Sequence, residues 1–301
     1  MSETAFISKI SHGSYSDGEG IRTVVFFAGC GLNCRWCHNP ESIPANPVLM
    51  HYRSKCIACG KCTLACPDVF SIKDGKINVN RQNCNARGVC TRVCLSDAIQ
   101  LSCTKMTADE VFSEIAQDKA FYKHSGGGAT FSGGECLLAS EFLARLLNSC
   151  AAEGINTCIE TSLDVPLQTV ENISSLADSF LVDIKHINPE KHREYTDRTN
   201  ERILSNIRHL FAMHDDVTFR VPLIPGVNDS LENLYDTVKF VHELKGRGKK
   251  RIEILRYNNL ARSKYESIDK EFICFGEPQS DKALAELISN LDSLYDDVHV
   301  F

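Results

Sequence analysis

Short apolar runs alternate with amphipathic stretches along most of the chain, and this alternation limits the possible folds more than any other feature. The apolar runs have the length and the β-branched or aromatic content of strands. They are TVVFFAG (23–29), ATFSG (129–133), NTCIE (156–160), SFLVDIK (179–185), VTFRVPLI (217–224) and RIEILRY (251–257). Repeated strand–helix units place their strands in parallel, either in an open sheet or in a barrel.

The stretches between the strands have helical periodicity. TADEVFSEIAQDKAFY (107–122) opens with a capping box of Thr107 and Glu110, and SEFLARLLNSCAAEG (140–154) stops at Gly154. Polar and glycine-rich clusters follow the strands, namely SGGE, ETS, DIKH, IPGVND and YNNLARS. In α/β folds the groups that bind ligands lie at this C-terminal edge of the strands. We therefore expect the functional site there.

Residues 51–103 interrupt the alternation and are dense in cysteine. Eleven of the fifteen cysteines fall between residues 30 and 103. The stretch MSETAFISKISHG has no signal-peptide features and no apolar run is long enough to cross a membrane, so we expect a cytoplasmic protein with no membrane partner. Thiols in a reducing compartment bind metals rather than form disulfides. We interpret residues 51–103 as a small iron-sulfur domain inserted into a discontinuous domain of residues 1–50 and 104–301.

The overall charge argues against one class of partner. The chain has 33 basic and 39 acidic residues, a formal net charge of -6. Such a chain presents no general basic field to a phosphate backbone, so we expect no nucleic-acid partner.

The segment GCGLNCRWCHNPES (29–42) contains Cys30, Cys34 and Cys37 and no fourth cysteine. Four thiolates close a tetrahedral metal site, whereas three leave one position open for chemistry. On a [4Fe-4S] cluster, three cysteines leave one iron free to bind a small molecule. Two other interpretations stay open from these residues alone: a zinc site completed by His38, and covalent haem attachment through the C-x-x-C-H pattern.

A second cysteine pattern lies in the inserted region. Its first run reads C-x2-C-x2-C-x3-C-P, which is the bacterial ferredoxin pattern, and the fourth cysteine of each such run ligates the other cluster. The second run has Arg87 where its second cysteine is expected. The predicted ligands of the first cluster are Cys56, Cys59, Cys62 and Cys94. Those of a second cluster are Cys66, Cys84 and Cys90, which Cys103 completes if the chain folds back. One or two auxiliary [4Fe-4S] clusters are therefore expected.

The C-x3-C-x2-C loop with Trp36 before its last cysteine resembles the radical S-adenosylmethionine (SAM) superfamily. More narrowly, the chain resembles the glycyl-radical-enzyme activating enzymes, such as the activator of pyruvate formate-lyase. The segments that carry this resemblance are SYSDGEGIRTVVFFAGC, CRWCHNPES, FYKHSGGGATFSGGE, IETS, DIKH and RVPLIPGVND.

The resemblance implies a partial (β/α)6 TIM-like barrel with an inserted ferredoxin-like domain. It implies that the loop cluster binds SAM, which is cleaved reductively to a 5'-deoxyadenosyl radical that takes a hydrogen from a backbone glycine of a partner glycyl radical enzyme. The implied electron donor is reduced flavodoxin or ferredoxin. The SAM contacts implied by the family's motifs are Trp36, Cys37, His38, Gly133, Gly134, Glu135, Thr161, Asp183, Ile184, Lys185, Arg220 and Asn258, with Glu160 nearby. No residue is expected to act as a catalytic acid or base.

This chain departs from the family's motifs at several positions. Cys136 follows GGE in place of proline, and DGEG (17–20), which resembles the loop that faces the partner's glycine segment, replaces DGPG. ILRYNNLARSKY replaces LPYHxLGxxKY, so that Arg256, Asn258 and Ala261 stand for proline, histidine and glycine. Asn258 can still donate a hydrogen bond to a ribose hydroxyl, but it cannot be protonated.

Alternative interpretations accompany these predictions. Asp183 and Lys185 can be a barrel-rim ion pair, and Cys136, Cys158 and Cys274 can be packed thiols like Cys150 on its apolar helix face. A radical SAM enzyme that acts on another peptide or a small metabolite shares most of the same motifs. A ferredoxin-type electron carrier accounts for residues 56–94, but not for the predicted barrel or its three-cysteine loop.

Overall fold

The computed structural model describes residues 3–301 as one large sheet covered by helices, with a small cysteine-rich region attached. The strands are β1 (Thr4–Ser14), β2 (Arg22–Phe27), β3 (Leu49–His51), β4 (Phe70–Lys73), β5 (Lys76–Val79), β6 (Ile99–Leu101), β7 (Thr104–Thr107), β8 (Gly128–Gly133), β9 (Asn156–Thr161), β10 (Ser179–Asp183), β11 (Val217–Leu223), β12 (Lys250–Arg256) and β13 (Val298–Val300). The helices are α1 (Lys61–Ala65), α2 (Val89–Val93), α3 (Ala108–Ala116), α4 (Lys119–Ser125), α5 (Ser140–Ala152), α6 (Leu167–Ser174), α7 (Pro189–Thr196), α8 (Glu201–Met213), α9 (Leu231–His242), α10 (Arg262–Ser267) and α11 (Asp281–Asp292). Short 3-10 turns follow Asn39, Asn80 and Glu135.

All six predicted strands are present and run in parallel, in the order β2-β8-β9-β10-β11-β12. Most of their residues are buried, as expected when helices cover a parallel sheet. The mostly parallel α/β fold that the sequence predicts is therefore confirmed.

The large sheet also has three strands that the sequence analysis did not predict. β1 pairs antiparallel with both β2 and β7 at one edge, and β13 extends the other edge in parallel. β7 and β13 have only four and three residues, which is too short for a readable periodicity. β1 is interrupted by two register shifts that break its alternation.

The predicted helices need one correction. The stretch 107–122 forms two helices, α3 and α4, rather than one. Thr107 and Glu110 make the predicted capping box, but Asp118 lies between the helices and its carboxylate binds His12 at 2.6 Å. α5 is followed by Gly154 with φ +64°, as predicted.

The cysteine-rich region has a small hydrophobic core separate from that of the large sheet. β3 pairs with β6, so that Leu49 lies opposite Leu101 and the two ends of the region meet. β4 and β5 form a hairpin, and α1 packs against α2. Four of the eight cysteines from Cys56 to Cys103 pack at the edge of this core while partly accessible, namely Cys56, Cys66, Cys84 and Cys94.

The remaining thiols lie mostly as predicted. Cys136, Cys150 and Cys158 are buried, which confirms them as packed thiols. Cys274 is exposed in the irregular segment between α10 and α11, so its prediction as a core thiol is wrong. No helix within residues 3–301 combines the length and the apolar character that a bilayer crossing needs.

Candidate functional site

A cavity of about 530 Å³ opens at the C-terminal ends of the parallel strands. Its walls come from the loop after β2 and from the ends of β8, β9, β10 and β12. The predicted site residues that line it are Cys30, Cys34, Trp36, Cys37, His38, Gly133, Gly134, Thr161, Asp183, Lys185 and Asn258. Segments far apart in sequence therefore meet in one space because parallel strands end at the same edge.

Backbone hydrogen bonds hold the three-cysteine loop at several points. The N–H groups of Gly29 and Cys30 donate to the carbonyl oxygens of Ser42 and Ile43 at 2.8 and 3.0 Å. Farther along, Asn33 and Arg35 donate their N–H groups to carbonyls at the end of α7. The loop is thus held both by the segment that follows it and by helix α7.

The three thiols lie in a partly buried site with charged groups of both signs nearby. Burial raises the pKa of Cys30 to about 12 and also raises the pKa values of Cys34 and Cys37. Lys185 acts in the opposite direction on all three. A thiolate at this site therefore needs more positive charge than the protein supplies, as metal coordination would provide.

Asp183 and Lys185 form an ion pair at the cavity wall, with 2.7 Å between Oδ2 and Nζ. Burial would lower the pKa of Lys185, but Asp183 and Cys34 outweigh it and raise that pKa above its usual value. Burial raises the pKa of Asp183. Each side chain is only 16% exposed, so an opposite charge close by is needed to keep the other ionised.

The glycines after β8 bring backbone, rather than side chain, to the cavity. A Cβ atom at Gly134 would lie 2.2 Å from the carbonyl oxygen of Gly29, and Gly133 has φ +114°. Side chains are therefore excluded from both positions. The backbone of the SGGE segment consequently packs directly against the three-cysteine loop.

Glu135 does not line the cavity. Its buried carboxylate accepts hydrogen bonds from the Thr161 hydroxyl at 2.7 Å and from the hydroxyl and N–H of Ser162 at 2.7 and 3.0 Å. The Leu137 N–H donates a fourth bond at 3.3 Å. Burial raises the pKa of Glu135, which these four bonds oppose. The structure gives Glu135 a role in joining the ends of β8 and β9.

The aromatic end of the cavity is formed by Trp36 and the segment after β12. Trp36 is buried against Ile224 and Tyr257. His38 lies 3.2 Å from the carbonyl oxygen of Asn258, measured from Nε2. The Asn258 side-chain oxygen accepts the Leu260 N–H at 3.2 Å, which leaves its NH2 group as the available donor.

Two predicted contacts lie elsewhere. Ile184 is buried in the main core. Arg220 borders a second cavity of about 310 Å³, together with Ser16 and Glu253. It pairs with Glu253 at 2.7 Å and binds the Ser16 carbonyl, and it also pairs at 2.9 Å with Glu160, which lines the main cavity.

Two residues of α10 that were not predicted as site residues contact the three-cysteine loop and the residues that follow it. Lys264 of α10 binds the side chains of Asn39 and Glu41, with 2.8 Å to the Glu41 carboxylate. Tyr265 lies 3.5 Å from the Arg35 carbonyl. The signal was present in the KY pair of the ILRYNNLARSKY segment, but only the fold brings residue 264 beside residue 41.

The pattern of motifs and the cavity agree with comparisons to known proteins. The family model described as "Radical SAM superfamily" matches residues 24–238. The chain belongs to the radical SAM superfamily. Its relatives include the (2S)-3-sulfopropanediol dehydratase activating enzyme of Klebsiella oxytoca, 38% identical over 89% of this chain and 86% of that protein. The choline trimethylamine-lyase activating enzyme of Oleidesulfovibrio alaskensis is 35% identical over 97% and 96% of the two chains.

These relatives identify the chain as a glycyl-radical-enzyme activating enzyme within the radical SAM superfamily. Among solved structures, a radical SAM methyltransferase from Sphaerobacter thermophilus is 13% identical and matches 99% of this chain and 76% of its own length with a TM-score of 0.55. At that identity the likeness concerns the fold alone.

The cavity fits the cofactors of the superfamily, a [4Fe-4S] cluster and SAM. Three thiols face it, and no fourth cysteine does. Within residues 3–301, no three His, Cys, Asp or Glu side chains converge on a single metal ion. A four-iron cluster spaces its ligands more widely, because each thiolate binds a different iron.

The cysteine-rich region of this radical SAM protein contains two groups of neighbouring thiols. The pKa of Cys90 is raised to about 12, mainly by burial and further by the neighbouring thiols of Cys66 and Cys84. Burial raises the pKa of Cys62, with smaller contributions from Cys56 and Cys59. Cys94 packs at the edge of the same small core, whereas Cys103 is buried beside the hydroxyl of Ser102 at 3.9 Å.

Proposed function

We propose that this chain binds a [4Fe-4S] cluster through Cys30, Cys34 and Cys37 and positions SAM on the open iron. The observation that carries this proposal is the cavity in which three partly buried thiols, the Asp183–Lys185 pair and the backbone of two glycines meet. When bound, the cluster supplies one electron to SAM, which breaks into methionine and a 5'-deoxyadenosyl radical that removes a hydrogen atom from a backbone glycine of the partner enzyme.

The protein's own residues orient SAM and exclude water. The backbone of Gly133 and Gly134, with the Thr161 hydroxyl, lies where the amino-acid end of SAM would bind. Asp183 and Lys185 offer opposite charges to its polar groups. Trp36, His38 and Asn258 form the aromatic end for the adenosine.

Glu135, Ile184 and Arg220 act indirectly in this proposal. Glu135 holds the turn that carries Thr161, and Ile184 supports the segment between Asp183 and Lys185. Arg220 holds the partner-facing loop through the Ser16 carbonyl.

That loop, DGEG at 17–20, is held by three barrel residues. The Thr130 hydroxyl donates to the Asp17 carbonyl at 2.6 Å, and Arg22 donates to the Glu19 carbonyl at 3.1 Å. Arg220 supplies the third bond. Asp17 also lines the main cavity, so we propose that this loop presents the partner's glycine segment to the SAM site.

We further propose that residues 51–103 are a ferredoxin-like domain inserted into a barrel domain of residues 1–50 and 104–301. Cys56, Cys59, Cys62 and Cys94 would hold one auxiliary cluster. Cys66, Cys84 and Cys90 would hold a second one, with Cys103 as the fourth ligand candidate. These clusters would receive electrons from reduced flavodoxin or ferredoxin, which suits a cytoplasmic location.

The experiment is an anaerobic reconstitution with iron and sulfide, followed by dithionite and SAM. We expect 5'-deoxyadenosine without a partner, and an electron paramagnetic resonance (EPR) signal of a glycyl radical when a glycyl radical enzyme is added. A protein that contains only zinc, or whose iron spectrum does not change on addition of SAM, would contradict the proposal.

A further inference from the structure

The cysteine-rich region differs from the rest of the molecule in charge. Residues 51–103 contain eight basic and three acidic side chains, a formal charge of +5 in a chain whose total is -6. The basic residues are Arg53, Lys55, Lys61, Lys73, Lys76, Arg81, Arg87 and Arg92, and the acidic ones are Asp68, Asp74 and Asp97. Each auxiliary cluster with four thiolates would add a charge of about -2, so attraction for an acidic protein would come from the exposed lysines of this region rather than from a large net charge.

Three large apolar side chains lie exposed next to its first cysteine run. Ile57 is 63% exposed, Leu64 is 86% exposed and Ile72 is 54% exposed. Ile72 lies beside the segment that links Ile57 to α1, since its Cδ1 lies 3.3 Å from where a Cβ of Gly60 would be, and Leu64 lies on α1 itself. Single exposed apolar residues are ordinary on a protein surface, but a group of them marks an interaction site.

Two lysines near these apolar side chains destabilise the β4–β5 hairpin. Lys73 and Lys76 are exposed and directly opposite each other across the β4–β5 hairpin. Like charges at directly opposite positions destabilise a hairpin. Within residues 3–301, neither lysine pairs with an acidic side chain, and nor does Lys61. An acidic partner that binds here would relieve the repulsion.

Cys59 is exposed in the same segment, between Ile57 and Lys61. A metal centre ligated by this thiol would be near the surface, within reach of a docked electron carrier. Cys62, a further candidate ligand of the same cluster, is buried.

We infer that Ile57, Leu64 and Ile72 with Lys55, Lys61, Lys73 and Lys76, here called the lysine patch, dock a small acidic one-electron carrier protein. The inference rests on the proposed function, in which auxiliary clusters pass electrons to the SAM-bound cluster. The carrier donates one electron to the auxiliary cluster nearest Cys59 and is itself oxidised by one electron. No proton or other group is transferred.

The test uses the reconstituted full chain and reduced flavodoxin as the carrier. The variant Lys61→Glu with Lys73→Glu reverses two charges of the lysine patch. The Lys73→Glu change also creates a favourable cross-strand pair with Lys76, so misfolding of the hairpin is not expected. The matched control, Lys239→Glu with Lys282→Glu, makes the same change of charge at exposed positions on α9 and α11.

At low salt we expect flavodoxin to reduce the lysine-patch variant at least about tenfold more slowly than it reduces the wild type. The affinity of the variant for oxidised flavodoxin should fall by a similar factor. The control should lose less than about threefold, and the difference should shrink as salt is raised. Leu64→Ser should weaken binding without changing the salt dependence. Reduction by dithionite should be the same in all variants.

Equal losses in the lysine-patch variant and the control would overturn the inference. So would a lysine-patch variant that loses glycyl-radical formation with dithionite as reductant, because the patch would then bind the protein substrate. Self-association of the wild type that the substitutions abolish would identify a second copy of the chain as the occupant instead. Failure of the proposed function is distinct from all of these, because the wild type would then form no 5'-deoxyadenosine even with dithionite.

Discussion

The three-cysteine loop and the cysteine-rich region both bring thiols together, but their surroundings differ. Cys30, Cys34 and Cys37 line a cavity beside the lysine of an ion pair, and the first two pack against the main core. In the cysteine-rich region, Cys62 and Cys90 belong to a small core of seven buried residues, whereas Cys59 is exposed. The first arrangement suits a cluster that binds a ligand, and the second suits clusters that exchange electrons at a surface.

The sharpest way to test this comparison is to remove one thiol from each group. Cys34→Ala should abolish dithionite-driven formation of 5'-deoxyadenosine, because the remaining two thiols cannot hold the cluster. Cys59→Ser should leave that activity within about threefold of wild type, because dithionite would bypass the proposed auxiliary clusters. Product chromatography measures both. Loss of activity in both variants would show that the two groups are not separate in function.

Removal of iron should separate the two regions by stability. The small core depends on cysteines, so without metal we expect residues 61–79 and 89–93 to exchange their amide hydrogens nearly as fast as an unfolded peptide. β8 to β11 belong to the large core and should stay protected. Hydrogen exchange measured by mass spectrometry, before and after chelation, checks this. Uniform loss of protection would contradict two separate cores.

The Asp183–Lys185 pair offers a test within the cavity. Lys185→Met leaves Asp183 without its partner and should lower the free energy of unfolding by about 3 kcal/mol. SAM affinity should also fall, by about tenfold or more, because a charged contact is lost. Chemical denaturation and a SAM titration measure the two effects.

The matched control for Lys185→Met is Lys191→Met, which breaks the exposed pair with Glu194 at 2.8 Å. It should cost less than about 1 kcal/mol. If both variants lowered the free energy of unfolding equally, burial of the Asp183–Lys185 pair would not be the cause of its larger predicted effect.

The smallest effect is expected at the junction between the two regions. Asp269, at φ +53°, pairs with Arg53 and Arg81 at 2.8 Å each. Asp269→Asn removes the charge but tolerates the left-handed backbone, so we expect a loss of about 0.5–1 kcal/mol. It should appear as faster hydrogen exchange in residues 49–101 and no change in the parallel strands β8 to β12. Faster exchange in those strands instead would mean that this contact serves the main core.

Much of this arrangement could be predicted from local sequence. The six parallel strands have apolar runs long enough to recognise, and the motifs after them lie at the predicted edge. β7 and β13 were missed because their pairing depends on neighbours rather than on their own residues. Cys274 was misplaced because an apolar neighbourhood in sequence does not imply burial in an irregular segment.

The candidate site was predicted less completely than the fold. Eleven predicted residues line the cavity, whereas Glu135 and Arg220 are engaged by other protein groups. The resemblance to the family implied ligand contacts for both residues, but the direction in which a side chain points at the end of a strand depends on the partners that the fold supplies. Lys264 was not predicted as a site residue, yet it contacts Glu41 at the end of the three-cysteine segment although the two residues are more than two hundred positions apart in sequence.

By itself, the sequence determined the six parallel strands, the three-cysteine loop and the paired ferredoxin-like runs, because these depend on periodicity and on short spacings. Only the tertiary structure decided which charged side chains face the cavity, which thiols are neighbours and where lysines gather on the surface. Those features depend on distances between segments far apart in the chain, which local propensities do not contain.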